Sequence, residues 1–81
     1  MTQEQALAHI QAALADIAPE VELEDIESDE PFREEADIDS MDFLKMVTAL
    51  EDATGVSIPE ADYPKVNTLD ELVNYLRQHA R

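Results

Sequence analysis

Two short polar segments mark helix starts near the two ends of this 81-residue chain: Thr2-Gln3-Glu4-Gln5 and Thr68-Leu69-Asp70-Glu71. In each, a threonine stands three residues before a Gln or Glu. At that spacing the hydroxyl accepts from the later backbone N–H while the longer side chain reaches back to the threonine N–H. After the first segment, Leu7, Ile10, Leu14 and Ile17 recur at helical spacing, with helix-favouring alanines between them. Pro19 ends that run near Ile17 or Ala18. After the second, Leu69, Leu72, Val73 and Leu76 supply a buried face. Arg77, His79 and Arg81 place cations where the helix dipole favours them.

A further helix is expected from about Met41 to Ala53. Met41, Phe43, Leu44, Met46, Val47, Ala49, Leu50 and Ala53 make a stripe wider than one face, as in a helix that packs on one side and meets partners on another. Gly55, the one glycine, follows where a left-handed cap closes such a helix. Val56-Ser57-Ile58-Pro59 reads as extended, and Glu60-Ala61-Asp62-Tyr63 as a short helix stopped by Pro64. No segment reads as a strand. The expected fold is all-α: a small four-helix bundle in a single domain over 1–81, with three main helices, one short helix and a long first connector.

That connector, residues 19–39, is the unusual part. Val21, Leu23, Ile26, Phe32 and Ile38 are spaced apolar points that would pin it over the core, Pro31 breaks it, and Glu34-Glu35-Ala36 suits a single turn. A long loop in a compact domain is commonly functional. From Glu20 to Asp42 there are 12 acidic residues and one basic residue, Arg33, and the whole chain carries a formal charge of -15. Nucleic acid is a poor partner for such a surface, and basic patches on proteins are good ones. No apolar run approaches the roughly 20 residues of a membrane span, and no leader pattern opens the chain. A cytoplasmic monomer is the expectation.

The candidate chemistry gathers at Asp37-Ile38-Asp39-Ser40-Met41-Asp42, where the connector meets the second long helix. Ser40 is not flanked by the glycines of a nucleophile elbow, and the histidines, His9 and His79, lie near the two chain ends. A calcium loop fails, because Met41 and Asp42 occupy its third ligand and glycine positions. On helix geometry alone Ser40 is an ordinary N-cap. It is also a serine near unpaired backbone N–H groups, where a phosphodiester would be favoured. With no cysteine in the chain, any thiol chemistry must come from an attached group.

Asp39-Ser40-Met41, the helix running to Ala49-Leu50-Glu51-Asp52, and Gly55-Val56-Ser57-Ile58-Pro59 together closely resemble the acyl carrier protein family. The resemblance implies that Ser40 carries covalent 4'-phosphopantetheine, placed there by a phosphopantetheinyl transferase using coenzyme A and magnesium. The arm's thiol would hold acyl groups as thioesters on a free-standing carrier that is not itself an enzyme. Partner contacts with acyl ligases or synthases bearing basic docking patches are implied for Asp39, Met41, Asp42, Phe43, Lys45, Met46, Glu51 and Asp52. Two positions depart from carriers of fatty acid synthesis. Lys45 stands where an acidic residue is common, and Phe43 where a smaller one is. Both departures point to a specialised carrier in fatty acid, polyketide or related acyl metabolism. The Gly-Gly pair usual in peptidyl carriers is absent. The competing readings are an acidic helical interaction module and an aminoacyl or peptidyl carrier.

Overall fold

The computed structural model describes residues 1–80; the C-terminal cation Arg81 of the sequence reading lies outside the described residues. The described residues form four α-helices: α1, Gln3–Ala15; α2, Phe32–Glu35; α3, Ser40–Thr54; and α4, Leu69–His79. Two 3-10 helices, Leu23–Asp25 and Glu60–Val66, lie in the connections. The expected all-α bundle is what forms, with α1, α3, α4 and the longer 3-10 helix as its four substantial members. Among the described residues there is no strand, only an isolated antiparallel bridge between Pro31 and Thr68.

Both capping boxes form. The Gln5 N–H donates to Thr2 Oγ1 at 3.1 Å while the Thr2 N–H donates to Gln5 Oε1 at 2.9 Å. Thr68 and Glu71 exchange the same pair of bonds, each at 3.1 Å. Regular helix in α1 stops at Ala15, a little before the position Pro19 suggested. One further helix-like turn follows, since the Ala18 N–H donates to the Leu14 carbonyl at 2.8 Å and Ala18 is buried.

Pro64 does not stop the short helix but sits inside it. In an α-helix a proline ring collides with the carbonyl four residues back; the tighter three-residue turn of a 3-10 helix forfeits only the missing N–H bond. Tyr75 of α4 ties this segment down, its hydroxyl donating to Asp62 Oδ2 at 2.7 Å and to the Ser57 carbonyl at 3.3 Å.

The first connector is held by both side chains and backbone. Phe32 is fully buried, Ile26 and Ile38 are buried, and Val21 and Leu23 are partly buried against the same core. Gln11 of α1 bridges to it, Nε2 donating to the Val21 carbonyl at 3.2 Å and Oε1 accepting from the Leu23 N–H at 2.9 Å. The Phe32 N–H donates to the Asn67 carbonyl and the Asp70 N–H to the Ser28 carbonyl, so the connector also grips the entry to α4. Burying a side chain such as Phe32 contributes about 1.5–3 kcal/mol, which helps to offset the cost of ordering the loop around it. The expected turn at Glu34–Ala36 starts two residues earlier, as α2.

Candidate functional site

The chain arrives at Ser40 through a sharp reversal. α2 closes with the Ile38 N–H donating to the Arg33 carbonyl at 3.0 Å and the Asp37 N–H to the Glu34 carbonyl at 3.3 Å. This paired pattern needs a left-handed residue between the helix and its exit. Asp37 takes that role at φ 54°, where glycine is usual and Asp is among the tolerated substitutes. The reversal sends Ile38 into the core and leaves Asp39 and Ser40 exposed.

Asp39, not Ser40, is the N-cap of α3. Its Oδ1 accepts from the Asp42 N–H at 2.9 Å, and Ser40 is the first helical residue. The capping reading of Ser40 is thereby corrected: a carboxylate one residue earlier already occupies that role, leaving the serine hydroxyl outside it.

Ser40 borders an open groove of about 490 Å³. One wall comes from α3, with Met41, Phe43 and Leu44. The other comes from the 3-10 helix, with Glu60, Tyr63 and Pro64. Arg33 and Asn67 line it as well. Phe43 and Tyr63 meet edge to face across these walls, ring centroids 5.6 Å apart at 82°. The Tyr63 phenol is pushed above its ordinary range, first by burial and then by the Glu51 and Glu60 carboxylates.

The residues expected to meet partners divide in two. Met41 is 69% exposed, and Asp39, Lys45 and Asp52 are exposed. Asp42 is half-buried. Phe43 and Met46 lie on the inner side of the helix. Phe43 is 6% exposed, reaching solvent only at the groove wall where it packs on Tyr63, and Met46 is fully buried, so neither stands on the outer surface. With Val47 and Leu50 they make an i, i+3, i+4, i+7 core stripe, narrower than the total apolar content of the helix suggested. Leu44, 51% exposed beside Met41, was missed as an accessible residue, and the same stripe rule would have found it. Glu51 is half-buried, and its Oε2 accepts from the Ile58 N–H at 2.9 Å, which gives it a structural role in holding the segment after α3.

No histidine borders the serine's groove. His9 and His79, at the chain's two ends in sequence, line a separate polar pocket with Thr54 and Gly55. That is the far end of α3, roughly 21 Å along the helix from Ser40. A Ser-His pair therefore does not assemble. His79 instead stacks on Tyr75, ring centroids 4.1 Å apart.

The model of the family described as a phosphopantetheine attachment site matches residues 8–76 of the chain. The chain belongs to the acyl carrier protein family. It is 33% identical to an acyl carrier protein of Rubrobacter xylanophilus over 98% of this chain and 96% of that one. It is 37% identical to one of Lactobacillus johnsonii over 73% and 74% of the two chains. A third, from Lactobacillus acidophilus, is 30% identical over 98% of both. Members are carriers and not enzymes, and their prosthetic group is covalent 4'-phosphopantetheine. The residues around the groove fit such a group: an exposed hydroxyl released from capping, an apolar trough beside it, and polar side chains along the trough. Among the described residues no helix is long and apolar enough to cross a membrane.

Proposed function

We propose that Ser40 is the attachment point and that residues 1–81 form one carrier domain serving a specialised acyl or aminoacyl pathway. The observation that carries this reading is the combination at the start of α3: Asp39 fills the capping role, and Ser40, the first helical residue, is exposed. When bound, the group supplies the terminal thiol that this cysteine-free chain lacks.

The chain's own residues have separable roles. The left-handed turn at Asp37 and the Asp39 cap hold Ser40 outward. Met41 and Leu44 give a partner an apolar contact beside the serine, and Asp39, Asp42 and Asp52 give acidic contacts for the basic patches of a phosphopantetheinyl transferase, an acyl ligase or a synthase. Lys45, exposed among these acids, sets the surface apart from a uniformly acidic one and supports a dedicated partner. Phe43 bears on that choice from the groove wall, where it meets Tyr63, and not from the outer docking surface.

The test is intact mass after incubation with coenzyme A, magnesium and a broad-specificity transferase. The wild-type protein gains one phosphopantetheine, and Ser40→Ala gains none while keeping its helical spectrum. A gain that survives Ser40→Ala refutes the assignment, and no gain in wild type favours the interaction-module reading.

A further inference from the structure

Arg33 shares the groove with Ser40, although the two residues sit on different elements, α2 and α3. It is the one basic residue among 12 acidic ones between Glu20 and Asp42. Among the described residues it is also the only cation that lines this groove; Lys45, on the same helix as the serine, does not. The one ion pair among the described residues joins Lys65 to Asp62 at 3.4 Å, so Arg33 is left without a carboxylate partner there. Its backbone is fixed all the same. The Arg33 carbonyl accepts the closing bond of the turn that delivers the chain to Ser40, which holds the base of its side chain in register with the start of α3.

Arg33 also borders a second depression, with Glu34 and Asp37. A cation that lines the serine's groove and also borders Glu34 and Asp37 is available to answer a new negative charge on that serine. Apart from the N–H groups at the start of α3, the charged residues nearest that position in sequence are the acids Asp37, Asp39 and Asp42. Guanidinium also suits the oxygens of a phosphodiester, because its planar fork donates two parallel hydrogen bonds where an ammonium acts as a point charge.

We propose that Arg33 is the counter-ion of the phosphodiester on Ser40, drawing the first bonds of the prosthetic arm toward the groove. This rests on the assignment of Ser40 as the attachment point. Arg33 is here a binding and positioning residue with no part in chemistry.

The experiment uses the loaded protein and reads the phosphorus directly. The wild-type protein, Arg33→Gln, Arg33→Lys and Arg77→Gln are loaded, checked by intact mass and followed by 31P NMR as salt rises from about 0.01 to about 1 M, over which the screening length falls from roughly 30 to 3 Å. Arg77 lies in the last turn of α4 and removes the same charge remote from the groove. The expected wild-type resonance moves with salt and is matched by Arg77→Gln. In Arg33→Gln it stays near the high-salt position throughout, and Arg33→Lys falls between. Loading should also shift the melting temperature of wild type upward relative to its effect on Arg33→Gln, by about 1–5 °C at low salt. A loaded Arg33→Gln whose resonance and melting shift equal those of wild type overturns the Arg33 role and leaves Ser40 standing. Absence of any mass gain in wild type overturns both.

Discussion

At its N-terminal end α3 is closed by the Asp39 side chain, and Met41 and Leu44 stand 69% and 51% exposed. At its C-terminal end the helix is closed by backbone: the Gly55 N–H donates to the Glu51 carbonyl at 2.9 Å with Gly55 at φ 74°. There the Glu51 side chain also holds the Ile58 N–H, and Val56 and Ile58 are buried. One helix thus joins a presenting end to an anchored end. The core stripe of Phe43, Met46, Val47 and Leu50 runs between them and lets the first stay open without loosening the second. Left-handed residues occur near both ends, but glycine fills the position at the anchored end and aspartate the one before the presenting end.

The sharpest way to break this contrast is to cut the same side chain on its two faces. Met46→Ala should cost about 2–5 kcal/mol, as a fully buried methionine leaves a cavity. Met41→Ala should stay within about 0.5 kcal/mol. Urea denaturation separates them, and equal losses would mean that Met41 is not a free surface residue.

The two left-handed positions come next. Gly55→Ala should destabilise by about 1–2 kcal/mol from backbone strain alone, since an added Cβ there meets nothing within 4 Å. Asp37→Gly should act in the opposite direction, by at most about 1 kcal/mol, because it relieves a tolerated rather than a forbidden conformation. Thermal melts of both variants test the pair.

At the presenting end, Asp39→Ala should cost about 1 kcal/mol of stability through loss of the cap, and Asp39→Asn should cost less because an acceptor remains. If Asp39→Ala is silent in the same melts, the cap does not hold α3 and the exposed serine needs another explanation.

The smallest effect belongs to the wall facing α3. The Tyr75 hydroxyl, then Lys65, holds the Asp62 carboxyl below its ordinary 3.8. A lowered carboxylate stabilises the fold above that value and loses its contribution as pH falls through the folded one. The stability difference between wild type and Tyr75→Phe should therefore shrink below about pH 4. Burial, followed by Asp62, pushes the Tyr75 phenol up to about 12. That contribution is present below pH 10 and is lost as pH rises through about 12, so the same difference should fall at the alkaline limit. Melts across both limits read it, and a pH-independent difference would detach Asp62 from the anchoring of the 3-10 helix.

What the sequence determined by itself is what depends on neighbours three to five residues apart. Thr2 with Gln5, Thr68 with Glu71, Gly55 after α3 and the apolar repeat of α4 are local features that the structure reproduces; in α1 the buried positions are Ala6, Ile10, Ala13 and Leu14, with Leu7 partly buried and Ile17 beyond the helix. The Asp39-Ser40-Met41 segment was equally legible as the candidate site. Only the tertiary structure decided how the apolar width of α3 divides into a core stripe with Phe43 and Met46 and an exposed pair, Met41 and Leu44. It also decided that Gln11 would clasp the connector, that Tyr75 would reach Asp62, and that Arg33 would share a groove with Ser40. Each of these joins elements distant along the chain. The physical reason is that helix periodicity specifies which residues share a face, whereas which face is covered is chosen by the elements that pack against it.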